Sequence, residues 1–401
     1  MNSLITTHEA ARLIREHLPA LSAIQCPLNK CAGRILRETV TSDRPFPPFN
    51  RSMMDGYAIR AEDIDSTGTF QITIQVPAGN PEQSIGPEAK NCAEIMTGAV
   101  VPADTNCVVP YEATKRIDEQ HMQLLNPKAH TTSDCIHPYA SDRPAHESLL
   151  QSGTQIGSRE IAVAATCGYS ELSVSKIPSI AVVSTGDELV EVSQQPEPHQ
   201  IRRSNDIMIE TALVRAHLYT QQSAHLPDDK DACEQPLSKL IADNQIVLLS
   251  GGVSMGKKDY IPEVLNQLGL KKHFHGIAQK PGKPMGFWTN DNCAVFTLPG
   301  NPLSTLTCLH HYVIPSLFQA MGQAVATTQR SVTIDKDIRA RDDFTLFLPV
   351  ALNSKSVATP QPTQNSGDLV RILNSDGYIV VPPCAEKTYT SGSSFTYHCW
   401  L

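Results

Sequence analysis

The sequence predicts a multidomain α/β plus β protein: a central α/β three-layer domain with a largely parallel sheet, a β-rich insertion domain and a C-terminal β-domain. Three observations predict it. Apolar strand patterns alternate with helical patterns from Ser179 to about residue 325, the grammar of helices packed on a parallel sheet. Residues 68–175 carry short runs rich in β-branched residues, glycine and proline, such as TFQITIQVPAG and NCVVPYEAT, which read as a small β region with long turns. After Thr327 short strand patterns return as SVTIDKDI, FTLFLPVAL and YIVVP, with turns at Asn353–Ser354, Asn365–Gly367 and Asp376–Gly377.

Taken in order, the chain opens with a helix. Thr6 and Glu9 form a capping box, and Ala10, Leu13, Ile14, Leu18 and Leu21 lay an apolar stripe behind it. The run DRPFPPF at 43–49 is too proline-rich for a regular element and serves as a rigid connector, which places a boundary near residue 45. Ile161, Ala162 and Ala165 suggest a short helix. In the central region SIAVVS, IVLLS and AVFTLP are buried strands. A helix is expected over Asn205–Leu218 with Ser204 or Asn205 as its cap, another from Asp228 or Asp229 to Asp243, a third in KDYIPEVLNQLG, and a long one in PLSTLTCLHHYVIPSLFQAM. The last has Asn301 as cap, Pro302 at its first position and Gly322 past its end. The expected domains are 1–45 with 146–178, then 46–145, 179–325 and 326–401.

Bulk properties narrow the partners. A chain of 401 residues is long enough for several cores. With 33 basic against 41 acidic residues the net charge is −8, so no basic face invites nucleic acid or an anionic membrane. No apolar run is long enough for a membrane helix and the first residues lack a signal peptide's apolar core, which predicts a cytoplasmic protein with a small-molecule partner. Eleven cysteines without a CxxC pair argue for reduced structural thiols. His273–Phe274–His275 and His310–His311 lack an obvious third ligand and are not read as metal sites.

Chemistry is expected where glycine-rich loops follow the apolar strands: Thr185–Gly186–Asp187–Glu188, Gly251–Gly252–Val253–Ser254–Met255–Gly256 and Gly300–Asn301–Pro302. Glycines at strand ends let backbone amides approach an anion, and a following helix favours phosphate there. Three such loops on one sheet predict a single phosphate-bearing ligand. Glu188, Asp228, Asp229 and Asp259 accompany the loops, and carboxylates beside a phosphate cradle make sense with a divalent cation such as magnesium between them; Asp228 and Asp259 can equally be helix caps. Lys280–Pro281–Gly282–Lys283–Pro284 sets two cations around a rigid turn suited to phosphate or another oxyanion. Two further functional loops stand in the β-rich region, at Pro47–Tyr57 and Met96–Ala99.

These stretches together resemble the molybdopterin molybdenumtransferase family, known as MoeA in bacteria and as the E domain of gephyrin in animals. The resemblance rests on PPFNRSMMDGYAIR at 47–60, IMTGAVVP at 95–102, STGDEL at 184–189, SND at 204–206, LPDD at 226–229, LLSGGVSMGKKDY at 248–260, QKPGKP at 279–284 and LPGNPLS at 298–304. It spans nearly the whole chain. It implies that 179–325 is a molybdopterin-binding domain and that 1–45 with 146–178 form an elongated linker and dimerisation domain. It implies a homodimer whose cleft lies between the α/β domain of one subunit and the N-terminal domains of its partner. The implied reaction converts adenylylated molybdopterin and molybdate, with Mg2+, into molybdenum cofactor, AMP and water, the pterin coming from an adenylyltransferase upstream. Carried over by motif, Asp55, Thr97, Asp142, Glu188, Asp228 and Asp259 form the catalytic polar set, with Glu188, Asp228 and Asp259 on metal. Gly186, Ser250, Gly251, Gly252, Ser254, Gly256, Lys280, Lys283, Pro299 and Pro302 form the binding set.

The chain departs from that family in three places. Many relatives have Gly-Glu where Ala140–Ser141 precedes Asp142; a basic residue often stands at the position of Gly276, with His275 as a candidate substitute; and arginines near Phe344 are replaced by Thr345 and Leu346, with Arg371 as a partial replacement. Two other functions share these motifs: a molybdopterin adenylyltransferase, which has the phosphate loops but would consume ATP, and a non-catalytic scaffold of the same fold.

Overall fold

The computed structural model describes residues 4–253, 260–324, 330–361 and 365–400. The chain divides into two compact units: Met1–Glu38, Ser152–Ile161 and Glu171–Leu401 make the first, Thr39–Gln151 and Ala162–Ser170 the second.

The first unit is built around a six-stranded sheet of β1 (Ile180–Thr185), β2 (Thr220–Leu226), β3 (Ile246–Ser250), β4 (Lys271–His275), β5 (Gly286–Thr289) and β6 (Ala294–Leu298), in the order β2-β1-β3-β6-β5-β4. β1 is parallel to β2 and β3, and β3 to β6, while β5 runs antiparallel to both of its neighbours. Side chains alternate across the sheet. Ile180, Val182, Leu248 and Phe296 join α1 (Asn205–Arg215) in one core, whereas Ala181, Val183, Leu249 and Val295 join α2 (Lys230–Asp243) and α3 (Ile261–Gln267) in another. Two apolar faces on every central strand explain why these segments are continuous apolar runs. The sheet is thus the middle of three layers.

Three strands escape the sequence reading for definable reasons. β2 and β4 are edge strands, TQQSAHL and KKHFH, whose exposed alternate positions accept polar residues. β5 is only four residues long. Helix boundaries also shift. α1 stops at Arg215, three residues before the expected end, and neither Ser204 nor Asn205 caps it with a side chain. The long C-terminal helix is interrupted: α4 (Pro302–Cys308) and α5 (Ile314–Ala320) flank a π-helical turn at Leu309–Val313. Pro315 lacks the N–H that an α-ladder needs, and its ring crowds the preceding turn, so the helix widens there.

Short β-segments complete the first unit. The N-terminal helix Thr7–His17 has Thr6 as its cap, with the Thr6 side chain accepting from the Glu9 amide. It buries Ala10 and Ile14 in the α1-side core; Leu18 and Leu21 follow it past the helix end. At the other end of the chain, strands 345–352, 357–360, 331–334, 394–399 and 377–381 pair in that order, and the last pairs back to the first. The ring is a small closed barrel, which leaves no free edge among its strands. Its core holds Val332, Val350, Ile379, Val381 and Phe395.

The second unit carries a six-stranded mixed sheet in the order 107–110, 56–59, 91–95, 69–76, 121–124, 114–116. Tyr57, Phe70 and Met122 fill one core, Val76, Ile95 and Val108 the other. Among the described residues no helix is long and apolar enough to cross a membrane.

Aromatic and imidazole rings join the wide turn to the barrel. His311 lies 4.5 Å from the Phe347 ring and 5.3 Å from that of His398, with its Nδ1 3.2 Å from the Tyr378 hydroxyl. Burial pushes His311 down to about 3. Between the ordinary histidine value and that figure, the unfolded chain takes a proton that the folded chain refuses. Stability therefore falls as pH drops through this window, by up to about 1.4 kcal/mol per pH unit from this residue, and the loss levels off below it. His311→Phe is expected to flatten the dependence of denaturant unfolding on pH between 6.5 and 4.5 by about one proton. Equal slopes in the two proteins would show that His311 titrates normally.

Candidate active site

The three glycine loops reach the carboxyl ends of β1, β3 and β6, on either side of the point where the chain reverses its direction of travel across the sheet. Open α/β sheets bind ligands at such a switch. A cleft of about 780 Å3 opens there, lined by Gly186, Glu188, Asp228, Ser250, Gly251, Gly252, Lys280, Lys283, Pro299 and Pro302. Ten of the expected residues therefore meet on one surface. Ser254, Gly256 and Asp259 lie outside the described residues, and Asp55, Thr97 and Asp142 belong to the second unit.

Local chemistry accounts for the shape of the cleft. Gly251 has φ 97°, and a Cβ there would stand 2.5 Å from the Thr185 carbonyl oxygen. Only glycine lets the ends of β1 and β3 come this close. Asn205 is drawn from capping into bracing: its Nδ2 donates to Ser250 Oγ at 2.9 Å and to the Gly300 carbonyl at 2.8 Å. Asn301 behaves likewise, donating at 2.6 Å to Ser366 Oγ while its carbonyl accepts the Thr305 amide. The buried atoms Thr185 Oγ1 and Asn205 Oδ1 have no hydrogen-bond partner among the described residues. A polar ligand in the cleft would satisfy such groups, which are costly to leave bare.

Capping of α2 falls to Asp229, whose carboxylate accepts the Ala232 amide at 2.8 Å, and Asp228 lines the cleft instead. The Lys280 turn is anchored from beneath. Gln279 is fully buried, accepts from the Tyr312 hydroxyl and donates to the Pro281 carbonyl at 3.2 Å, and the Lys280–Pro281 bond is cis. Neither Lys280 nor Lys283 forms an ion pair among the described residues.

Sequence reasoning missed several lining residues. Arg202 and Arg203 come from the segment before α1, while Arg341, Phe344 and Ser366 come from the C-terminal region. Arg203 is matched by Glu191 at 3.1 Å and Asp206 at 3.2 Å. Arg341 pairs with Asp343 at 2.8 Å and stacks over Phe344 at 4.9 Å from the ring centre. Only proximity to SND could have flagged the first pair, and nothing local marks the others. His275, the candidate substitute cation, is not among the described residues lining the cleft, and its Nε2 sits 2.9 Å from the Val253 carbonyl. Thr345 and Leu346 pair in parallel with Gln279 and Lys280, so these two uncharged positions adjoin the lysine turn. The Arg371 side chain lies outside those described.

In the second unit, Asp55 Oδ1 accepts from the Thr97 amide at 2.7 Å and its hydroxyl at 2.9 Å. Those two donors, the amide first, hold the Asp55 carboxyl below its ordinary value. The loop is held from behind by Tyr111, whose amide donates to the Asp55 carbonyl at 3.1 Å and whose hydroxyl donates to buried Glu94 at 2.8 Å. Burial opposes the charge on Glu94, yet bonds from Tyr111, Gln75 and Arg116 keep its carboxyl below the usual range. Asp142 lies 2.8 Å from His137 Nε2.

Known proteins match the chain region by region. Residues 5–168 match the model of the MoeA N-terminal region (domain I and II), 181–319 that of a probable molybdopterin binding domain, and 331–400 that of the MoeA C-terminal region (domain IV). The chain is 35% identical over 404 residues to a molybdopterin molybdenumtransferase of Synechocystis sp., covering 99% of this chain and 100% of the relative. It is 31% identical over 322 residues to the protein of that name in Haemophilus influenzae, covering 80% of this chain and 78% of that one. A crystal structure described as a molybdopterin biosynthesis MoeA protein from Pyrococcus horikoshii superposes over all of both chains, with a TM-score of 0.79 at 25% identity. With its three regions matched in order and a full-length relative at this identity, the chain belongs to the molybdopterin molybdenumtransferase (MoeA) family.

Proposed function

We propose that this chain inserts molybdenum from molybdate into adenylylated molybdopterin, releasing AMP and water, in the biosynthesis of the molybdenum cofactor. The observation that carries this reading is the single cleft in which three glycine loops, two lysines and the carboxylates of Glu188 and Asp228 meet. Backbone amides at β-strand ends suit the phosphates of the pterin nucleotide. Lys280 and Lys283 place positive charge where molybdate binds and where charge develops on the departing AMP phosphate. The cleft's volume of about 780 Å3 and the Phe344 ring in its lining offer room and an aromatic face for a planar ring. The dithiolene sulfurs come from substrate.

Glu188 and Asp228, with Asp259 outside the described residues, would hold Mg2+. Two carboxylates beside a phosphate cradle fit an ion that takes one or two carboxylates and completes its shell with phosphate oxygens and water. When bound it supplies charge neutralisation between the ligand's phosphates. The Synechocystis relative carries the transferase name over 99% of this chain, which favours this reading over an adenylyltransferase. An enzyme of that second kind supplies the adenylylated substrate from upstream.

We propose further that the protein is a homodimer in which the partner subunit's Asp55, Thr97 and Asp142 complete the catalytic set. The support is chemical: Asp55 and Asp142 are exposed carboxylates, fixed by donors but paired with no lysine or arginine among the described residues.

Two measurements test these readings. Purified protein given adenylylated molybdopterin should release AMP only when molybdate and magnesium are both present, and Lys280→Ala with Lys283→Ala should lower that rate by at least about 100-fold. AMP release indifferent to molybdate, or ATP consumption with free molybdopterin, would overturn the assignment. For the shared site, Asp55→Ala and Glu188→Ala chains should each be inactive, yet recover about a quarter of wild-type activity when refolded together, since half of random dimers then carry one intact site. No recovery in dimers of verified mixed composition would place all the groups within one chain.

A further inference from the structure

The geometry points to His137 as the residue that positions Asp142, through a tautomer fixed by Arg51. The inference rests on the reading that Asp142 belongs to the catalytic set. Arg51 and His137 face one another across a short antiparallel pair, 51–52 with 136–137. Arg51 NH2 lies 2.9 Å from His137 Nδ1, and His137 Nε2 lies 2.8 Å from Asp142 Oδ1.

A guanidinium has only N–H donors, so the ring nitrogen facing it must accept with a lone pair. The imidazole proton must then sit on Nε2, where it donates to Asp142. One cation thereby selects one neutral tautomer, and that tautomer aims one carboxylate. The order of groups matters because an imidazole left to itself divides between two tautomers, one of which would present a lone pair to the Asp142 oxygens.

The surrounding loop leaves the side-chain rotation of Asp142 as the freedom to be controlled. Its backbone is already pinned: Tyr139 N donates to Asn50 Oδ1 at 2.8 Å, Ala140 N to the Pro47 carbonyl at 3.0 Å and Asp142 N to the Phe46 carbonyl at 2.9 Å. Ala140 holds φ 60°, a left-handed conformation that costs a residue with a Cβ about 1 kcal/mol. The chain accepts that strain to hold the turn. What remains is the carboxylate's orientation, and His137 makes the hydrogen bond that sets it.

The role is one of positioning, since His137 reaches the chemistry only through Asp142. His137→Ala should lower kcat for molybdate-dependent AMP release by roughly 10–100-fold, the span lost when an orienting partner is removed from a functional group. KM for the pterin nucleotide should stay within about 2-fold. His137→Gln should restore most of kcat, because a glutamine amide can accept from Arg51 through its oxygen and donate to Asp142 through its nitrogen. Melting curves of both variants check that the fold is intact. A wild-type kcat in His137→Ala, a rise in KM with kcat unchanged, or a His137→Gln protein as slow as His137→Ala would each overturn the proposal. Asp142→Asn separates the two levels of the reading. If it leaves kcat intact, Asp142 itself is no part of the set; if it is slow while His137→Ala is not, only the positioning role falls.

Discussion

The close approach of β1 and β3 at their carboxyl ends is the constraint on which the site depends. Where Gly251 stands beneath the Thr185 carbonyl, a Cβ would collide with backbone that cannot move aside. The strands are held in parallel register over five residue pairs, from Ile180 with Ile246 to Ser184 with Ser250, and their two faces are packed by separate cores. A methyl group at that point would have to be accommodated by splaying strands locked on both sides. Close packing makes such adjustments expensive. The absence of a side chain is therefore what opens the switch point to a ligand, and Asn205, bonded to both Ser250 and Gly300, ties the β3 and β6 loops at the same place.

The barrel is joined to this cleft through covalent and hydrogen-bonded paths together. Gln279 and Lys280 add a short parallel strand to residues 345–346 of the barrel, while Gln279 is gripped by Tyr312 from the wide turn of the last helix. The same barrel segment brings Arg341 and Phe344 to the rim, and Ser366 reaches Asn301. Thr345 and Leu346 leave the ladder beside Lys280 uncharged, and backbone groups make that ladder whatever the side chains. Thr345 is buried there, a place where a cation would need a partner that the adjoining strand does not supply.

How far the sequence could be read follows from the range of the interactions involved. Strands buried on both faces, such as IAVVST and IVLLS, announce themselves because every residue is apolar. The Thr6 cap and the choice of an aspartate to open α2 were equally legible, being decided within four residues. The edge strand TQQSAHL was not, because its polar alternation is permitted by a single neighbour that only the fold provides. The motif segments around Glu188, Asp228, Lys280 and Pro299 could be named in advance as parts of one cleft. Arg341 and Ser366 could not, because what makes them lining residues is barrel closure and the pairing of 279–280 with 345–346, both long-range.

The protonation of Asp55 limits what it can contribute. A carboxylate that accepts both an amide and a hydroxyl from Thr97 is stabilised in its charged form, and its carboxyl stays below the ordinary value. At neutral pH it carries no proton to give. In the proposed catalytic set it would accept a hydrogen bond or a proton, or balance positive charge, while donation to a leaving oxygen would come from elsewhere. The lysines of the cleft have the complementary limitation, since an ammonium donates and cannot accept. In the proposed reaction this division would suffice: the departing AMP phosphate would draw positive charge from the lysines, and a water molecule would find its acceptor in Asp55. Thr97 therefore matters through the orientation its amide and hydroxyl give the Asp55 carboxylate, and the loop behind it, held by Tyr111 on buried Glu94, keeps that carboxylate in place.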